Sequence, residues 1–211
     1  MSTGTKYAGN EMTQSDMQGQ SVARGQPVTQ GQSTTLCGDF DLTEIIDGEE
    51  IVGPSPFFEH QDILRKIATK IIIYLQYHEI GELFFSPLDV ILEEDRQRLQ
   101  PDLIFIRKER MSIAQDWIRG VPDMVCEVVS QGSYRYDAIR KRKVYEKYGV
   151  PEFWLVQPKR KSIEVFVIDN ARYVRHCAAA GDGIITSKLM AGLEIYIRDI
   201  FDRTEIFGGK E

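Results

Sequence analysis

Cysteine is scarce in this 211-residue chain: Cys37, Cys126 and Cys177 are three in number, no two of them at the short spacing that zinc or redox motifs use. That excludes a disulfide-stapled scaffold and a cysteine-caged metal, and leaves reduced thiols. Long apolar runs are missing too. The longest, residues 71–75, falls far short of the ~20 residues a membrane-spanning helix needs, and no basic patch followed by an apolar stretch opens the chain. The expectation is a cytoplasmic protein without membrane contact. Positive charge is not in excess: 26 Lys+Arg face 32 Asp+Glu, for a formal net charge of -6 and a pI near 5.2. This argues against a surface coated for nonspecific nucleic-acid binding, while leaving room for a local basic patch. Internal repeats at solenoid or propeller periods are absent as well.

What is present is ordinary globular composition, 42% hydrophobic and 27% charged. Its distribution is uneven. Gln, Gly, Ser and Thr dominate residues 1–35, where Val22 and Val28 are the only branched aliphatic side chains. Such a segment buries too little apolar surface to offset its ordering entropy and reads as a disordered polar tail. Residues 36–211, about 175 in number, suffice for a single domain with a real core.

The Asp47-Gly48 pair between two short apolar runs, within residues 44–52, predicts an N-terminal β-hairpin. Apolar residues at Ile63, Leu64, Ile67, Ala68, Ile71, Ile72 and Leu75 predict a helix over residues 59–77. Short β-branched or aromatic runs then predict strands at 82–85, 89–92, 103–106 and 124–129. A basic helix follows over 137–148, ending at Gly149, and further strands are expected at 153–156, 163–168 and 173–177. The order points to an α/β (α+β) fold in which one central mixed sheet is flanked by helices.

Residues 124–129 read as a strand buried on both faces, yet they contain one carboxylate, Glu127. Burial of that kind is tolerated when the group is protonated, ion-paired or bound to a cation. Asp102, after Pro101 and at the start of a strand, is the nearest candidate to join it. Two carboxylates at one sheet edge, with the backbone carbonyl of Val128 nearby, would suit Mg2+ or Mn2+. Downstream, residues 135–147 hold six basic residues against two acidic ones, in a chain that is acidic as a whole. Helical spacing puts Asp137, Lys141 and Tyr145 on one face, which makes Lys141 the lysine able to join the carboxylates. Arg135, Arg140, Arg142 and Lys143 are then candidates to hold a nucleic-acid backbone, or simply a solvated face.

The ordered set Pro101-Asp102, Glu127-Val128-Val129-Ser130, Asp137, Lys141, Tyr145 and Gly149 through Pro158, preceded by Ile46 through Glu49 and Glu59-His60, resembles the Uma-two family of restriction-endonuclease-like proteins. The resemblance spans residues 41–201. It implies a restriction-endonuclease-like core of the PD-(D/E)xK superfamily and metal-assisted hydrolysis of DNA, with Asp102 and Glu127 holding the ion. Cutting both strands of a duplex would be easiest for a homodimer. This chain departs from the superfamily signature at Val129, where a lysine two residues after Glu127 is usual. The resemblance makes Lys141, on the following helix, the migrated equivalent.

Other readings of the same residues stay open. Asp102 could be a turn aspartate, Glu127 and Lys141 a structural ion pair, and Asp137 a helix cap. Trp154, Tyr145 and Tyr148 read as packing residues. His60 at the start of the long helix and Glu44 before the hairpin turn are secondary site candidates. With Val129 in the lysine position, the competing function is a nucleic-acid- or partner-binding module that keeps the fold and has lost cleavage.

Overall fold

The computed structural model describes residues 42–202, apart from 54 and 130–133, and gives only the backbone of 134–137. The expected polar tail, Arg135, the Asp137 cap and the loop after Val129 lie outside the described residues.

The chain opens with the hairpin β1 (Thr43–Ile46) and β2 (Glu49–Val52), turned by Asp47 and Gly48 at φ 56° and 81°. Two consecutive positive φ values are what a two-residue hairpin loop with right-handed strand twist demands. The helix α1 (Phe58–His78) follows, then β3 (Gly81–Phe85), β4 (Val90–Glu93), β5 (Gln97–Leu99) and β6 (Leu103–Arg107). A 3-10 turn leads to β7 (Ile118–Arg119) and β8 (Met124–Val128). After α2 (Tyr134–Tyr148) come β9 (Glu152–Gln157), β10 (Ser162–Asp169), β11 (Arg172–Ala180), β12 (Ile184–Thr186), β13 (Glu194–Tyr196) and α3 (Ile197–Phe201).

Where the sequence suggests one sheet, the described strands form three. The central one has six strands in the order β11-β10-β9-β8-β6-β3 and is mixed: β8 and β9 run parallel, and the other neighbours antiparallel. Because β8 and β9 are parallel they need a crossover, and α2 supplies it. A second sheet, β2-β1-β5-β4-β7, and the pair β12-β13 complete the set. β5 and β7 escape a hydrophobic-pattern reading because they are two or three residues long and carry Gln97, Arg98 and Arg119.

The periodic face of α1 (Ile63, Leu64, Ile67, Ala68, Ile71) packs on Leu103, Phe105, Met124, Cys126 and Val128 of the central sheet. At roughly 1.5–3 kcal/mol per buried aliphatic side chain, this face fixes the helix against the sheet. On the other face Val125, Phe153, Phe166 and Tyr173 meet Val144 and Tyr145 of α2, together with Ile46 and Leu99 of the second sheet. Strand alternation along β8 therefore turns Met124, Cys126 and Val128 toward α1, and Val125 and Glu127 toward α2. All five residues of β8 are buried. No helix among the described residues is long and apolar enough to cross a membrane.

Candidate active site

The register of β6 on β8 is antiparallel, with Leu103 opposite Cys126 and Ile104 opposite Val125. One step further along that ladder, Asp102 stands across from Glu127. Asp102 thus enters the central sheet where Glu127 leaves it, and α1 and α2 both begin at that edge. A cleft of about 230 Å3 opens there, walled by Leu42, Pro56, Leu64, Ser86, Pro87 and Ala138. Glu44, His60, Asp102, Glu127, Val128 and Lys141 also line it. The structure brings together the three principal residues proposed from the sequence and both secondary ones.

Each side chain is held by an identifiable partner. Asp102 Oδ2 accepts the Val128 backbone N–H at 2.7 Å and lies 3.2 Å from His60 Nε2. Val128 meets the site through this N–H. His60 is about nine-tenths buried, and its Nδ1 has no hydrogen-bond partner. Glu127, 5% exposed, accepts the Tyr145 hydroxyl at 2.6 Å on Oε1, and its Oε2 lies 3.5 Å from Lys141 Nζ. The same ammonium is closer, at 2.8 Å, to Glu44 Oε2. Glu44 Oε1 accepts the Gln100 backbone N–H at 2.6 Å. β1 alternates outward and inward, so Glu44 shares the buried face with Ile46 and points into the site.

Three carboxylates thus surround one lysine, and their charges are out of balance. Burial pushes Glu127 from 4.5 up to about 8; Lys141 pulls in the opposite direction, while Asp102 and Glu44 add to the rise. Desolvation outweighs the single ammonium because that ammonium is shared with Glu44. Burial and the neighbouring carboxylates likewise hold the Tyr145 phenol well above its usual range.

Tyr145 is the packing residue that the sequence pattern indicates, and it also reaches the candidate site. It is packed, with its ring 5.7 Å from Phe153, but its hydroxyl also orients Glu127. The signal was its position one helical turn after Lys141 on the same face. Arg140, Arg142 and Lys143, among the described basic residues of α2, lie away from the cleft. Arg140 donates to the Ile46 carbonyl at 2.8 Å and to Glu49 at 2.9 Å, tying α2 to the hairpin. The Arg142 guanidinium lies 3.9 Å over the Phe166 ring, and Lys143 is exposed. Val129 continues the β8–β9 ladder by donating its N–H to the Val156 carbonyl. Cys126 and Cys177 are free thiols, and burial raises that of Cys126 well above its ordinary range.

The donor set suits a hard cation. Carboxylate oxygens dominate, and with all three carboxylates ionised against one ammonium the site is two charges short of neutral. Among the described residues no three His, Cys, Asp or Glu side chains converge as a complete metal cage.

No curated protein matches the chain. Among solved structures, it is similar to a protein described as a putative nuclease belonging to DUF820, from Anabaena variabilis. The match has a TM-score of 0.62 at 19% identity, covers 75% of this chain and 89% of that one, and shows a shared fold. The Uma2 family, described as "Putative restriction endonuclease", matches residues 35–198. With the Asp102–Glu127 edge, the helix-borne Lys141 and the restriction-endonuclease-like architecture in place, the chain belongs to the Uma2 family.

Proposed function

We propose that the protein is a metal-dependent endonuclease that hydrolyses phosphodiester bonds in DNA. The observation that carries this reading is the cleft in which Glu44, Asp102 and Glu127 share the single ammonium of Lys141, leaving buried negative charge that a divalent cation would neutralise. Asp102 and Glu127 would hold Mg2+ or Mn2+. The chemistry such an ion supplies when bound is polarisation of the phosphate and acidification of a water.

The chain's own residues do the rest. Asp102 is fixed by the Val128 N–H and His60, and Glu127 by the Tyr145 hydroxyl, so both carboxylates are oriented before substrate arrives. Lys141 orients the attacking water and offsets charge developing on the phosphate, taking the role that a lysine at position 129 would have had. Glu44 holds that ammonium in place through its Oε2 at 2.8 Å. The walls of Leu42, Pro56 and Leu64 restrict bulk water.

One observation favours a second reading: Lys141 is nearer to Glu44 than to Glu127, which is also how a purely structural ion cluster would look. The deciding experiment compares melting temperature with and without millimolar Mg2+ or Mn2+, alongside plasmid nicking, for wild type and Glu127→Gln. A metal-dependent rise and nicking, both lost in the variant, support the nuclease. Neither effect in wild type, with folding intact, would leave a binding module on a nuclease fold.

A further inference from the structure

We propose that the strand this site accepts is unpaired DNA, and that Phe57 and Phe58 form the platform on which its bases stack. The inference rests on the nuclease reading and specifies its substrate.

The first ground is depth. Glu44, Glu127 and Lys141 lie at the floor of the cleft and are at most 8% exposed. A duplex is a stiff rod whose phosphates follow a fixed helical path. A single strand bends at every sugar-phosphate unit and can lower one phosphate to the floor.

The second ground is the rim. Phe57 and Phe58 are 65% and 81% exposed, and they stand in the chain between Pro56 and His60, both of which line the cleft. A single exposed apolar residue needs no explanation; two adjacent exposed aromatic rings, flanked in the chain by residues that line the cleft, do. Aromatic rings accept any base by its face, each stacked base contributing on the order of tenfold in affinity. His60, in the first turn of the helix, lines the cleft and holds a buried Nδ1 with no hydrogen-bond partner.

The third ground is what α2 does with its charge. A duplex binder draws most of its affinity from phosphate contacts by Lys and Arg. Here Arg140 is bonded to the hairpin, Arg142 lies over Phe166, and Lys141 is in the cleft. Of the described cations of α2, Lys143 and Lys147 are left on the exposed surface, Lys147 with its Nζ 5.0 Å over the Tyr148 ring. Stacking then replaces electrostatics as the source of grip.

The test uses one labelled oligonucleotide as a single strand, as a matched duplex, and as a duplex with a single-stranded flap. With Mn2+, wild type is expected to cut the single strand and the flap at least about tenfold faster than the duplex. Binding is read separately by fluorescence anisotropy on the Glu127→Gln protein, with and without Phe57→Ala/Phe58→Ala. The double substitution is expected to weaken single-strand binding about 10- to 100-fold, with the melting temperature unchanged because both rings are exposed. Equal cutting of duplex and single strand overturns the proposal while leaving the nuclease standing. If no substrate is cut with any metal, the nuclease reading fails, and the anisotropy comparison still decides the platform. Unchanged single-strand binding overturns the platform. So does light scattering that finds a wild-type dimer made monomeric by the double substitution without loss of binding, which would assign the two rings to a second copy of the chain.

Discussion

Replacing Glu127 with glutamine tests the charge imbalance directly. The folded-state value of about 8 lies above the 4.5 of an unfolded chain, so between those limits the folded protein holds a proton that the unfolded chain has released. The contribution to stability is complete below pH 4.5, declines as pH rises through the interval, and is gone above about 8. One proton of difference corresponds to about 1.4 kcal/mol per pH unit, or roughly 3 kcal/mol between pH 5.5 and 7.5. At ~2–4 °C per kcal/mol for a domain of this size, the melting temperature should fall by about 5–10 °C over that range from this group alone. Glutamine keeps an oxygen to accept the Tyr145 hydroxyl and cannot ionise, so Glu127→Gln should lack this component. The assay is thermal unfolding in EDTA at half-unit pH steps, read as wild type minus variant so that other titrating groups cancel. A flat difference curve from pH 5 to 8 would refute the reasoning, because Glu127 would then ionise as an ordinary exposed carboxylate. In millimolar Mg2+ the wild-type slope should shrink, since a bound cation lowers the Glu127 pKa.

Lys141→Met removes the ammonium that Glu44 and Glu127 share, and should cost about 3–5 kcal/mol in urea unfolding and abolish nicking; a variant that nicks at the wild-type rate would remove Lys141 from the mechanism. Glu152 is fully buried and accepts four donors: the Trp154 indole, the Ser187 hydroxyl, and the Lys188 and Leu189 N–H groups. In Glu152→Gln the amide nitrogen must face one of those donor pairs, and two stranded donors cost about 2–6 kcal/mol; a loss below about 1 kcal/mol in chemical denaturation would contradict this count. Gly81→Ala would drive a methyl into the Ile106 carbonyl oxygen and to 2.8 Å from the Phe105 ring. It should therefore destabilise the β3–β6 pair by about 1–3 kcal/mol, measured by thermal unfolding.

The legible parts of the sequence are those where one physical rule acts alone. The 3.6-residue spacing of Ile63, Leu64, Ile67 and Ile71 marks α1, and the Asp47-Gly48 pair marks the hairpin, because each is decided locally. Glu127 is conspicuous as a lone charge in Met124–Val128, and the helix-face arithmetic that selects Lys141 over Arg140 and Lys143 agrees with the observed distances. What stays hidden is decided at long range. β5 carries Gln97, buried because its amide donates to Asp47 fifty residues earlier, and no window of sequence contains both. β12 and β13 are three residues each and exist through pairing with one another. Glu44 looks like a strand residue until Lys141 is brought to it, and Tyr145 looks like core because it is core and site together. Glu152, between a proline and a phenylalanine, gives no sign that it anchors the 187–189 loop.

The five candidate site side chains, Glu44, His60, Asp102, Glu127 and Lys141, come from five separate places: β1, the start of α1, the approach to β6, the end of β8, and α2. None of them is adjacent to another in the chain, and the last to be synthesised, Lys141, reaches its carboxylates only after α2 has crossed over the finished edge of β8. A nascent chain still on the ribosome owns every earlier residue and none of the chemistry. For the nuclease proposed above, the candidate site would therefore come together only once α2 has been made and docked.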